Sequence, residues 1–176
     1  MNVVAHFEKV SFEQYLIDWC KAYGVDLSEN EYLVDRIRNM YDNIRLPKRS
    51  TVGSAGYDFF APETLNAIPL TAFVVPTGIR CRIENGWVLA VFPRSGHGFK
   101  HGVRLANTVG IIDADYYGAK NEGHIHIKLL NDSAISGKFD IKAGEAFAQG
   151  IFLPFGITDD DSADGIRTGG FGSTDK

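Results

Sequence analysis

This 176-residue sequence predicts a mainly β chain of sandwich or barrel type, preceded by a two-helix extension. Three observations carry the expectation. Up to about Leu46 the apolar residues recur at helical spacing, beyond it they gather in short β-rich runs punctuated by Gly, Pro and Asn, and the C-terminal stretch has no apolar period.

The elements follow in order. "SFEQYLIDWCKAY" places Phe12, Leu16, Trp19, Cys20 and Tyr23 at helical spacing, opens with a Ser-x-x-Gln capping box and closes at Gly24. "SENEYLVDRIRNMYDNI" repeats the device, with Ser28 and Glu31 as the box and Leu33, Ile37, Met40 and Ile44 as the stripe. The bland role for both helices is to pack on the β core. The runs "YDFFA", "TAFVVPTGIRCRI", "WVLAVFP", "VRLANTVGIID", "HIHIKLLND" and "FDIKAGEAFAQGIFLPF" then read as strands. The acidic "TDDDSADG" reads as a solvated linker, and "RTGGFGSTDK" is too rich in glycine to pack as a core element.

Composition excludes several function classes. A chain 44% hydrophobic and 23% charged has the material for an ordinary globular core, and a net charge of -4 lacks the basic face that broad nucleic-acid binding needs. No apolar run approaches the ~20 residues of a membrane span and no leader pattern opens the chain, so a soluble, cytoplasmic protein is expected. Cys20 and Cys81 stand far apart in dissimilar segments, which suits reduced packing residues.

Three segments carry candidate chemistry. In "GSAGYDFFA", Gly53 and Gly56 bracket a turn that delivers Asp58 into the start of a strand. In "FPRSGHGFKHG", Arg94, Ser95 and the backbone around Gly96 and Gly98 offer a guanidinium, a hydroxyl and amides to phosphate oxygens, without P-loop spacing. In "ANTVGIIDADYYG", Asn107 and Asp113 flank a hairpin-forming Val-Gly, and the strand-end position of Asp113 after Gly110-Ile111-Ile112 suits a site carboxylate. His97 with His101, and His124 with His126, raise a metal reading. The first pair lies in a glycine loop and the second lacks a further ligand partner, so exposed histidines are expected.

The ordered set "SAGYDFFA", "PRSG", "NTVGIIDADYYG", "AQGIFLPF" and "GGFGST" resembles the motifs of the trimeric deoxyuridine triphosphate nucleotidohydrolases, the dUTPases. The resemblance spans residues 43 to 176 and leaves residues 1–42 outside, so a β domain over 43–166 and a C-terminal arm over 167–176 are expected. It implies a jelly-roll-like subunit, a homotrimer, and sites at subunit boundaries closed by the arm. The implied reaction turns dUTP into dUMP and pyrophosphate, lowering dUTP and supplying dUMP for thymidylate synthesis.

Residue roles transfer by position. Asp113 matches the carboxylate that deprotonates the water attacking the α-phosphorus. Arg94, Ser95, Gly96 and Gln149 match phosphate-contacting positions, and Asp58 a supporting one. The segment Asn107, Gly110, Ile111, Ile112 matches the backbone that reads the uracil edge, and Tyr116 the tyrosine packed on the sugar. Phe171 matches the arm aromatic that stacks on the base, while Arg167, Gly172, Ser173 and Thr174 match the arm residues near the terminal phosphate. Mg²⁺ is implied as cofactor, held mainly by the triphosphate and water.

Departures from the pattern are the single residue Thr168 between Arg167 and Gly169, Tyr117 where arginine is frequent, His97-Gly98, and "KNEGH", which lengthens the turn after Gly118. Two other readings remain open on the sequence. A related deaminase of dCTP would need a glutamate where Lys128 stands, three residues before Asn131, and a nucleotide-sensing or partner-binding protein would leave the N-terminal helices as the surface for an unknown partner.

Overall fold

The computed structural model describes residues 2–26, 31–134, 139–165, 167 and 169. Four antiparallel sheets form the body. The largest has strands in the order β2 (Lys48–Arg49), β3 (Tyr57–Phe60), β12 (Ala146–Pro154), β7 (Trp87–Pro93) and β9 (Gly110–Ile112). A second orders β5 (Ala72–Pro76), β10 (His126–Asn131) and β8 (Val103–Leu105), and two-stranded sheets pair β4 (Leu65–Ala67) with β11 (Phe139–Ile141) and β1 (Ala5–Lys9) with β6 (Ile79–Ile83). The strand alternation expected of half-buried sheets holds in β8 and β9, where the outer residues are buried and the middle one is exposed.

Burial makes the sheets and the leading segment one core. Phe59, Leu89, Leu129, Ile141 and Phe147 from the sheets, and Tyr15 and Ile37 from the leading helices, are each at most 1% exposed and belong to the same cluster. Helix α1 (Phe12–Tyr23) buries Phe12, Tyr15, Asp18 and Trp19, and α2 (Glu31–Asp42) buries Ile37, with Leu33 and Met40 packed against the core. The helices therefore pack on the β body as expected. Gly78 marks the closest approach: its φ is +71°, and a Cβ there would stand 2.2 Å from Cδ1 of Ile44.

Ends of α1 repay attention. Ser11 accepts a hydrogen bond from Gln14 N at 3.1 Å, and Gly24 closes the helix in the left-handed region at φ 64°. The reciprocal half of the expected capping box is absent, because the Gln14 amide donates to Asp18 at 2.8 Å. Glu122 takes its place, accepting from Ser11 N at 2.8 Å and from Ser11 Oγ at 2.6 Å. A residue from the lengthened turn thus caps the inserted helix. The Ser28–Glu31 box falls in part on residues outside those described.

Three expectations need correction. The leading segment is a strand and two helices, since β1 pairs in register with β6 from Ala5 opposite Ile83 to Lys9 opposite Ile79. The glycine loop after Pro93 is a short helix, α3 (Ser95–His101), in which His97 and His101 are half-buried and their rings lie 5.2 and 3.8 Å from that of Phe139. The Val109-Gly110 turn does not join a hairpin: β8 pairs with β10 and β9 with β7, so the turn passes between sheets.

Candidate active site

Strand β7 organises the site residues because β12 and β9 flank it. At its C-terminal end, Gln149 stands opposite Phe92 on one side and Asp58 on the other, and the Gln149 amide donates to Pro93 O at 3.1 Å. Arg94 follows directly and donates through Nη1 to Asp58 Oδ1 in an ion pair, while Ser50 Oγ donates to Asp58 Oδ2 at 2.8 Å. Asp58 is buried and takes both bonds, so its work is to orient the half-buried Arg94. A Cβ at Gly56 would meet Gln149 Oε1 at 2.7 Å, so a side chain there would push the Gln149 amide from its place. Ser95 and Gly96 lie exposed in the first turn of α3, directly after Arg94 in the chain.

Asp113 belongs to a second cluster at the other end. It leaves β9 and caps a 3-10 turn, Ala114–Gly118, with its side chain 52% exposed. Arg167 Nη1 lies 2.9 Å from Asp113 Oδ2 and 3.4 Å from Asp115 Oδ1, and the guanidinium stands 5.0 Å from the Tyr116 ring centre. Tyr116 is only 1% exposed; its hydroxyl donates to His124 O at 2.8 Å and accepts from Asn121 Nδ2 at 2.8 Å. Burial pushes its phenol above the usual range, so it stays a neutral donor. Upstream, Thr108 takes a positive φ of 65° and Val109 N donates to Asn107 O at 2.7 Å, which shapes the turn entering β9. Gly110 and Ile112 face inward and Ile111 faces out.

The two clusters do not meet within one chain. Ile112 stands opposite Leu89, and Arg94 lies five residues further along β7, so at ~3.3 Å per residue the separation exceeds about 16 Å, with Asp113 extending it. A single subunit holds the phosphate-type cluster and the carboxylate apart. The arm residues Phe171, Gly172, Ser173 and Thr174 lie outside the described residues, as does Thr168.

Two groups escaped the sequence reading. A cleft beside the Asn107–Ile112 turn is lined also by His126 and Lys128, whose alternation along β10 puts them on one face. Behind it, Asp18, His124 and His126 form a cluster whose ligand-type atoms lie within 4.8 Å of one another. His124 is fully buried and His126 partly so, which overturns the expected exposure and supplies the missing third partner, Asp18. Nothing local could signal it, since Asp18 lies 106 residues from His124.

The protonation of that cluster follows from geometry. Gly78 N–H donates to His124 Nε2 at 2.7 Å, so that nitrogen carries no proton and Nδ1 does. Nδ1–H then donates to Asp18 Oδ2 at 2.6 Å, with His126 Nε2 at 3.3 Å from the same oxygen. Burial holds His124 below its usual range in agreement with a neutral ring; Asp18 lies well below the usual carboxylate range, because donors from His124, His126 and Gln14 outweigh its burial. A metal on Nδ1 would have to displace that proton to Nε2, against the Gly78 N–H. The cluster is a hydrogen-bond relay rather than a metal centre.

Comparison with known proteins gives one answer. A family model described as dUTPase matches residues 42–174. The deoxyuridine 5'-triphosphate nucleotidohydrolase of Lactococcus lactis subsp. lactis is 42% identical over 134 residues, covering 74% of this chain and 88% of the relative. The crystal structure of the dUTPase from Streptococcus mutans aligns with a TM-score of 0.59 at 40% identity, over 65% of this chain and 88% of that one. An Asp-to-Asn variant of the dUTPase from phage phi11 of S. aureus, a structure concerned with coordination of a structural Mg(II) ion, aligns with a TM-score of 0.58 at 25% identity, over 70% and 92%. This chain belongs to the dUTPase family.

Proposed function

We propose that this member of the dUTPase family hydrolyses dUTP to dUMP and pyrophosphate, with Asp113 as the general base that deprotonates the water attacking the α-phosphorus. The observation that carries the assignment is the position of Asp113: a half-exposed carboxylate at a strand end, beside the Tyr116 wall and in contact with a cation from the arm. Phosphoryl transfer asks mainly for positioning and charge neutralisation, and a solvent-reached carboxylate meets the remaining need for a base.

Because Arg94 and Asp113 sit at opposite ends of β7, they serve one triphosphate only if different subunits supply them. That separation supports a homotrimer with composite sites, in which Arg94, Ser95, Gly96 and Gln149 of one subunit hold the phosphates presented to Asp113 of another. Asp58 acts through Arg94. The turn from Asn107 to Ile112 reads the uracil edge with backbone groups, and Tyr116 covers the sugar and disfavours a 2′-hydroxyl. Arg167 leaves Asp113 for the phosphates when nucleotide binds, freeing the carboxylate for the water as Phe171 closes over the base.

Mg²⁺ suits an oxygen-rich site, and the carboxylates of Asp113 and Asp115 converge there on one guanidinium, whereas the Asp18 cluster offers two imidazole nitrogens. The ion would rest mainly on triphosphate oxygens and water, near Asp113, and would supply charge neutralisation of the phosphates. Among the described residues no helix is long and apolar enough to cross a membrane.

Pyrophosphate release measured across dUTP, dTTP, dCTP and UTP with Mg²⁺ tests the reading. Strong preference for dUTP is expected. Comparable rates on dTTP would overturn the assignment of the Asn107–Ile112 turn as the uracil reader.

A further inference from the structure

The helices that lie outside the family match reach the nucleotide site through a short path of hydrogen bonds. Asp18 of α1 accepts from His124 Nδ1 at 2.6 Å. Gly78 N–H holds the far side of the same ring at 2.7 Å, so the imidazole is fixed at both nitrogens. The carbonyl of His124 in turn accepts from the Tyr116 hydroxyl at 2.8 Å, and Asn121 Nδ2 braces both, at 2.8 Å from that hydroxyl and 3.3 Å from that carbonyl. Tyr116 N finally donates to Asp113 O at 3.2 Å within the 3-10 turn. A branch leaves the same carboxylate, whose Oδ2 lies 3.3 Å from His126 Nε2; His126 also lines the cleft beside Asn107 and Gly110.

We propose that Asp18 is a positioning residue for the nucleotide pocket: by locking His124, it sets the Tyr116 ring that bounds the sugar, and through His126 it supports the turn that reads the base. The inference rests on the sugar role given to Tyr116 above. Three donors, from Gln14, His124 and His126, meet on Asp18 Oδ2, and a buried His124 N–H deprived of that acceptor would swing toward the nearest other one, His126 Nε2 at 3.2 Å. His124 carries Tyr116 on its own carbonyl, so any such shift moves the ring. A helix with no contact to substrate thereby enters the choice between deoxyribose and ribose.

The experiment compares kcat/KM for dUTP and for UTP in the full chain and its variants, because their ratio does not depend on how much enzyme is folded. In Asp18→Ala the ratio should fall by roughly three- to tenfold, the scale of the His124 bond alone among the three that are lost, mainly through a higher KM for dUTP. Asp18→Asn keeps an oxygen toward Nδ1–H and should restore most of the ratio. Tyr116→Phe cuts the same path further on, so the double variant with Asp18→Ala should show less than the sum of the two effects. Trp19→Phe removes another α1 anchor, the 2.8 Å bond to Glu63, and should lower the melting temperature while leaving the ratio unchanged.

An unchanged ratio in both Asp18 variants overturns the proposal, as does an equal change in Trp19→Phe, which would mark general loosening of the helix. If Tyr116→Leu leaves the ratio at the wild-type value, the sugar role of Tyr116 fails instead. Should Asp18→Ala not fold, His124→Gln, which removes the imidazole that the path runs through, takes its place in the cycle with Tyr116→Phe: additive effects refute the path, and sub-additive effects support it.

Discussion

Asp113 and Asp18 are two carboxylates with opposite surroundings. Among the described residues Asp113, its side chain half in solvent, meets a guanidinium from the arm that bridges it to Asp115. Asp18 is 7% exposed and accepts from Gln14, His124 and His126. Burial and three donors converging on Oδ2 fix Asp18 in place, and those donors hold it ionised, which suits a fixed anchor. Openness leaves Asp113 able to take a proton from a bound water, which suits a base. In the proposed roles, the donors each carboxylate accepts, more than its residue type, set anchor and base apart.

Replacing Asp113 gives the largest test of that contrast. Asp113→Asn should still bind dUTP while its turnover falls by about 10²-fold or more, the usual scale for loss of a general base, as measured by single-turnover pyrophosphate release. Near-normal turnover would show that another group activates the water.

Complementation sharpens the same contrast at the level of subunits. A chain lacking residues 167–176 and a full-length Asp113→Asn chain should each be nearly inactive, yet co-expressed mixed trimers should regain activity where an intact Asp113 meets an intact arm. The single chain brings Arg167 to its own Asp113, so mass-verified mixed trimers with no gain over either parent would mean that the arm serves its own subunit.

Acid titration probes the anchor. His124 is held below its usual range in the folded state, so the unfolded chain takes up a proton as pH falls through about 6.5 and the folded chain does not; this contribution is complete above that pH and declines below it by about 1.4 kcal/mol per pH unit until the folded group titrates. Asp18 is also lowered, and its contribution is present above about 3.9 and lost as pH falls toward its folded value. Urea denaturation of the wild type and His124→Gln between pH 7.5 and 5 should show a flatter slope for the variant. Equal slopes would place the titrating group elsewhere.

The smallest effect concerns the helix cap. Glu122→Ala removes both bonds to Ser11 and should cost about 1–2 kcal/mol in urea denaturation with kcat unchanged. A loss of activity larger than the loss of stability would tie the cap to the site.

Legibility in the sequence tracked the range of the interactions involved. The helices were readable because Phe12, Leu16 and Trp19, and Leu33, Ile37 and Met40, repeat at a local period, and the strands because turn residues bracket them. Strand β1 escaped because five residues acquire strand character only by pairing with β6, 70 to 78 positions away. Helix α3 was hidden by Gly96 and Gly98, poor helix formers that form this helix between Pro93 and β8. Candidate site residues were legible as motifs in order; their division between the two ends of β7 needed the register with β9. The burial of His124 was out of reach, since it depends on Asp18, Gly78 and Tyr15 arriving from other elements.

Glu122 takes a positive φ of 57°, unusual for a residue with a side chain, and from that backbone pose it holds both polar atoms of Ser11. The leading helices and the lengthened turn are therefore coupled to one another. A scaffold of this fold given only the helices would receive Ser11 without its acceptor, and one given only the turn would hold a strained Glu122 whose remaining partner is Arg80 of β6, 3.8 Å away. Engineers moving the helical pair into another subunit would need to carry both pieces together.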